Sequence, residues 1–114
     1  MAVHYLEIVT PDVDAVCAGY EAAQSLRFGE PDPMLGGART CELADGSQVG
    51  VRAPMRETEA PVVRPYWLVD DIDTAVEKVA SAGAEIAMPP TAIPGKGHFA
   101  IYLLGGLEHG LWQR

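Results

Sequence analysis

The chain repeats itself. Asp12-Val13-Asp14, within VTPDVDAVCAGY, recurs as Asp71-Ile72-Asp73 within VDDIDTAVEKVA. The register then slips by one residue, and Gly37, Gly46 and Gly50 recur as Gly97, Gly106 and Gly110, with Leu43 and Val51 against Leu103 and Leu111. Self-similarity at a fixed period constrains architecture more strongly than local propensity, because each copy must form the same supersecondary unit. A chain of 114 residues has room for one core, so the copies are expected to be two modules of a single domain spanning 1–114, at about 1–55 and 62–114. Between them APMRETEAPVVRP, around residues 53–65, is polar and proline-bounded and reads as a linker.

Each copy reads as a strand, a helix and three strands. Tyr5 to Val9 alternates in polarity. Thr10-Pro11 offers a capping hydroxyl followed by a proline suited to a first helical turn, so a helix is expected to start there. Val13, Val16, Cys17 and Tyr20 then fall at helical spacing. Ile72, Ala75, Val76 and Val79 repeat the stripe behind Asp70 or Asp71 as cap, and each stripe predicts one buried helix face. Gly83 suits a left-handed helix end. Short strands are expected near Phe28–Met34 and Glu85–Met88, at edges because prolines surround them. Two hairpins follow, Thr40–Ala44 with Gln48–Ala53 across Asp45-Gly46, and Phe99–Leu103 with Glu108–Gln113 across Gly105-Gly106.

Charge and cysteine content narrow the function. Sixteen acidic against eight basic residues leave a formal charge of -8, a field that repels polyanions, so neither nucleic acid nor an anionic membrane is an expected partner. No apolar run reaches the roughly 18 residues of a membrane-spanning helix. Cys17 and Cys41 lack paired metal or redox spacing and read as buried thiols. The opening MAVHYLEIVTPD carries no secretory pattern, and a cytoplasmic location is the expectation.

VTPDVDAV, VDDIDTAVEKVASAGAEI, MPPTAIPGKGHFAIYLL and GGLEHGLWQ together resemble the vicinal oxygen chelate superfamily, which includes glyoxalase I, bleomycin-resistance proteins and extradiol dioxygenases. The resemblance covers almost the whole chain. It implies an α+β fold of two tandem βαβββ modules whose strands form an open curled β-barrel around a ligand cavity, often completed as a homodimer. The chemistry does not follow from the fold, because the superfamily holds isomerases, dioxygenases and metal-free binders.

The resemblance also implies metal ligands on the first and last strands of each module. Gly50 and Gly110 stand where glutamate ligands would lie, and glycine has no donor. Arg64, Pro65 and Tyr66 surround the third place, and a guanidinium repels a divalent cation. At the fourth, His4 shares a strand face with Leu6 and Ile8, while Tyr5 and Glu7 share the other; a one-residue bulge before Pro11 would reverse that assignment. No metal and no other cofactor is therefore expected. His98 is expected at a cavity mouth or in a solvated loop, and His109 in a polar niche. No nucleophile and base pair is legible.

If Tyr5 and Glu7 face inward, their repeat mates Arg64 and Tyr66 do so as well, joined by Arg52 and its mate Trp112. Gly50 and Gly110 would then leave room for an organic ligand beside aromatic walls. Glu7 reads as one member of an ion pair rather than a general base, and Glu57, Glu59, Asp73, Glu77 and Lys78 as solvated. The expected ligand-binding residues are thus Tyr5, Glu7, Arg52, Arg64, Tyr66, His98 and Trp112. The expected function is metal-independent binding of a small organic ligand, aromatic or cationic, for sequestration or sensing. One alternative is a glyoxalase-like lyase, isomerase or dioxygenase whose site is assembled from Glu7, His98, Glu108 or a partner chain. Another is an accessory domain that only dimerises.

Overall fold

A computed structural model describes residues 1–114. The elements are β1 (Val3–Val9), α1 (Val13–Gln24), β2 (Pro31–Asp32), β3 (Ala38–Glu42), β4 (Gln48–Arg52), β5 (Val62–Leu68), α2 (Ile72–Ser81), β6 (Glu85–Ile93), β7 (Gly97–Leu104) and β8 (Leu107–Gln113). Contacts divide the chain into two compact units, Leu6–Val63 and Arg64–Arg114, the second also including Met1–Tyr5. Strand order in the first is β2-β3-β4-β1 and in the second β6-β7-β8-β5, which is one βαβββ unit built twice. The backbone repeats even in detail. Thr10 N donates to the Arg52 carbonyl at 3.0 Å, and its counterpart Val69 N donates to the Trp112 carbonyl at 2.9 Å. Gly37 and Gly97 both have positive φ, 79° and 111°. Gly97 also lies so close to the Gln113 carbonyl that a Cβ would collide with it.

In the first unit α1 lays Val13, Val16, Cys17 and Tyr20 on a core of Ile8, Phe28, Cys41, Val49 and Val51. Strand alternation sends Leu6 and Ile8 into that core and leaves Tyr5 and Glu7 for the opposite face. Both thiols, Cys17 and Cys41, are buried. In the second unit α2 buries Ile72, Ala75, Val76 and Val79 against Ala100, Tyr102, Leu111 and Trp67. Asp71 caps α2 by accepting from Thr74 N at 3.2 Å, and Gly83 just beyond the helix has φ 106°. Gln113 Oε1 accepts from Ile72 N at 2.9 Å, tying the last strand to the helix start.

Four local expectations need correction. Helix α1 starts at Val13 with Asp12 as its cap residue. The Thr10 hydroxyl instead accepts from Asp12 N at 3.1 Å, a local turn that competes with helix entry. The strand expected over Phe28–Met34 is only Pro31–Asp32, paired with β3. Pro33 starts a short 3-10 turn in which the Asp32 side chain accepts from Met34 N, because prolines 31 and 33 bring no N–H to a ladder. The linker is also shorter than expected. Strand β5 begins at Val62 and runs through Pro65, so residues 53–61 alone lack regular structure. The strand expected over Glu85–Met88 is longer: β6 continues to Ile93, with register shifts between Ile86 and Met88 and between Met88 and Thr91, so Pro89 and Pro90 interrupt the pairing without ending the strand.

Candidate ligand-binding residues

Within the first unit the expected site residues Glu7 and Arg52 form a buried ionic knot. Arg52 is 4% exposed and Glu7 8%. Arg52 Nε donates to Glu7 Oε2 at 2.9 Å. Its two terminal nitrogens donate to both oxygens of Glu59, Nη1 to Oε1 at 2.9 Å and Nη2 to Oε2 at 2.7 Å, and Nη1 also reaches the Ala53 carbonyl. A planar guanidinium suits this two-point grip as a lysine would not. Glu59 was expected in solvent. The structure corrects this: its side chain is 14% exposed, and Oε1 also accepts from Met55 N at 2.7 Å. The Arg52 contact draws the Glu59 carboxyl down to about 2, and both carboxylates help raise the Arg52 guanidinium further above its ordinary range. Gly36, at φ 67°, lets the neighbouring turn pass close to this knot: a Cβ there would strike the Met55 terminal methyl and crowd Arg52 Cδ.

The aromatic members gather in the second unit. Ring centroids are 5.3 Å apart for Tyr5 and Trp112, 5.8 Å for Tyr5 and Tyr66, 5.8 Å for Tyr66 and Trp112, and 6.3 Å for Tyr66 and Phe99. Edge and tilted contacts of this kind stabilise beyond simple burial. Trp112 is 3% exposed, and its indole N–H donates to the Lys96 carbonyl at 3.1 Å. Arg64, 5% exposed, lies 3.3 Å from Glu108 Oε2. Gly110 leaves no free room. The Tyr66 ring already fills the place of a side chain there, and Tyr66 is its register partner in the parallel β5–β8 pair. The expectation of vacated space at Gly110 is therefore corrected: the glycine seats a ring.

The histidines fall elsewhere. His98 is an exposed residue of β7, opposite Gln113, and no ring contact joins it to the aromatic group in the way His4 is joined. His4 is half-buried and packs on Trp112 at 5.3 Å; burial, then the Arg114 charge, lowers its pKa. His109 stacks on Tyr102 with centroids 5.1 Å apart. At the strand positions where the family resemblance places metal ligands, the donors present do not fit a divalent cation. Two are glycines, one of them covered by Tyr66, and Arg64 is a cation itself. No group of three or more His, Cys, Asp or Glu side chains is placed to hold a metal ion.

Glu59 is the residue that sequence reasoning missed. The signal available was indirect: a strand arginine on a buried face needs carboxylates, and the adjoining linker carries Glu57 and Glu59.

No family model matches the chain. Proteins named "Putative glyoxylase CFP32" of Mycobacterium bovis and Mycobacterium tuberculosis are 28% identical over 116 residues, covering 96% of this chain and 44% of theirs. The chain thus spans less than half the length of those relatives. Among solved structures, a hypothetical protein of Bacillus halodurans aligns with TM-score 0.76 at 14% identity, covering 99% of this chain and 94% of that one. The methylmalonyl-CoA epimerase of Streptomyces coelicolor, in an S115T form complexed with 2-nitronate-propionyl-CoA, aligns with TM-score 0.72 at 16% identity over 99% and 94% of the two chains.

Proposed function

We propose, starting from the vicinal oxygen chelate (glyoxalase-type) fold that this α+β chain has, that it is a metal-independent small-molecule binder. The observation that carries this reading is the buried Tyr66 ring packed over Gly110, an aromatic group at a position where a metalloenzyme of this fold needs a donor. Tyr5, Tyr66, Trp112 and Arg64 form one proposed set of binding residues, and Glu7 with Arg52 another. His98 stands apart from both as an exposed residue. Buried guanidiniums favour a ligand with an anionic group over the cationic ligand that the acidic composition suggested. Homodimer formation is part of the proposal, because Leu104 and Leu107 expose 47% and 64% of their surface at the β7–β8 turn.

A thermal-shift panel that includes propionyl-CoA tests the binding, together with elemental analysis of the purified protein. Binding to the native state raises stability by about 2.7 kcal/mol at a hundredfold excess over Kd. The expected result is a saturable rise with an organic ligand and no stoichiometric metal. Equimolar metal, lost together with ligand binding, would overturn the reading. Sedimentation separates a dimer from the 12.2 kDa monomer.

A second reading is acid–base catalysis on an acyl-CoA thioester, favoured by the likeness to the epimerase. Glu7 Oε2 already accepts from Arg52 Nε at 2.9 Å, and that contact occupies the carboxylate a base would need to turn toward the substrate. Exchange of the α-proton of methylmalonyl-CoA with deuterated solvent, followed by NMR, distinguishes catalysis from binding alone.

A further inference from the structure

The grip of Glu59 on Arg52 has the geometry by which a guanidinium receives a carboxylate ligand. Both terminal nitrogens face one carboxylate, at 2.9 and 2.7 Å, and the fourth protein contact of the group, to Glu7, uses Nε instead. The edge of Arg52 that would recognise a planar anion is thus already occupied.

Its occupant sits on a short strap. Residues 53–61 have no regular structure, and Met55 is 65% exposed. The strap's bonds include internal ones: Glu59 N donates to the Arg56 carbonyl at 3.1 Å, and Met55 N donates to Glu59 Oε1 at 2.7 Å. The Met55 methyl rests over Gly36. Glu59 is therefore a carboxylate on an irregular segment, and the buried cation it holds is fixed on a strand.

We infer that Glu59 is a built-in stand-in for an anionic ligand: the Arg52 guanidinium is a carboxylate-binding site that the strap closes in the free protein and yields when a ligand carboxylate takes its place. This rests on the reading of the chain as a small-molecule binder and names the chemical group that its ligand carries. The exchange replaces one two-point ion pair by another of the same kind, against the cost of ordering a free ligand and of giving up the Met55 N contact to Glu59. Burial of Arg52 argues against leaving it bare, since an unpaired buried charge is strongly unfavourable. Strap release and ligand entry are thereby coupled.

The strap supplies its own reporter. The bond after Arg56 is a trypsin site, and the Arg56 carbonyl is held in the turn closed by Glu59 N, so cleavage there reads opening. The experiment uses the full chain with and without malonate, with sodium chloride at equal ionic strength as control, and follows cleavage after Arg56 by mass spectrometry and malonate affinity by thermal shift. Wild-type protein saturated with malonate is expected to be cut at least tenfold faster than in chloride. Glu59→Gln is expected to be cut rapidly without malonate and to bind malonate at least tenfold more tightly than wild type. Unchanged wild-type cleavage at saturating malonate overturns the proposal, as does an equal response to inorganic phosphate, which would remove the assignment to carboxylates. If Glu59→Gln does not fold, the wild-type comparison decides alone. A ligand that raises stability without accelerating cleavage after Arg56 defeats the stand-in while leaving the binding function intact; no organic ligand at all defeats the binding function itself.

Discussion

The ring of Tyr66 occupies the space that a side chain at Gly110 would need, across the register pair those two residues make between β5 and β8. The two positions are therefore one steric unit. Gly110→Ala is expected to cost about 3 kcal/mol through overpacking, and Tyr66→Ala about 3–5 kcal/mol through loss of a buried ring. The double variant should lose less than the sum by about 1–3 kcal/mol, because each change relieves the other. Urea denaturation of the four proteins measures this coupling, and strict additivity would show that the ring does not lie where the structure puts it.

Arg52 holds two carboxylates away from water. Replacing it by Ala leaves Glu7 and Glu59 without their shared cation, and the expected loss is about 3–5 kcal/mol, larger than for either acid replaced by its amide. Chemical denaturation at neutral pH checks the ranking.

Acid titration reads Glu59 directly. Its folded value is about 2 against an ordinary 4.5, so the unfolded chain takes up a proton first as pH falls. The stabilisation is complete above 4.5 and disappears as pH falls toward 2, on the order of 2 kcal/mol in all. Glu59→Gln should flatten that part of the stability curve while leaving the slope near neutrality unchanged.

His4 works in the same direction at higher pH. Burial first, and the Arg114 charge second, hold its imidazole below the ordinary 6.5. As pH falls through 6.5 the unfolded chain binds a proton that the folded one declines, so stability falls on acidification until the folded value is reached. An NMR titration of the His4 ring should give a midpoint below 6.5, moving upward in Arg114→Gln.

The helix caps give a contrast between the two copies. Asp71 accepts from Thr74 N, whereas Asp12 makes no side-chain cap bond. Asp71→Ala is expected to cost about 1 kcal/mol and Asp12→Ala little, measured by thermal unfolding.

What the sequence made legible was periodic. Helical stripes such as Ile72, Ala75, Val76 and Val79 announce a buried face because the spacing itself is the signal, and β1 alternation separated Leu6 and Ile8 from Tyr5 and Glu7 for the same reason. What escaped was aperiodic. Glu59 reaches Arg52 through a turn whose path no spacing encodes, so its charge looked solvated. Pro65 looked like the end of a linker, although β5 carries it as an internal residue. Gly110 was recognised as a vacancy in the side-chain record, but only the β5–β8 register shows that Tyr66 fills it. Residue types on a face could be read along the chain; what each side chain finds opposite could not.

The placement of the two tryptophans divides the molecule optically. Trp67 packs in the α2 core and Trp112 among the buried rings of Tyr5 and Tyr66; both lie in one compact unit, and Leu6–Val63 contains no tryptophan. Indole emission therefore follows the loosening or occupancy of one half of the duplication and is silent on the other. Paired with amide exchange along α1, a single sample could show whether the two descendants of the repeat melt together or in succession.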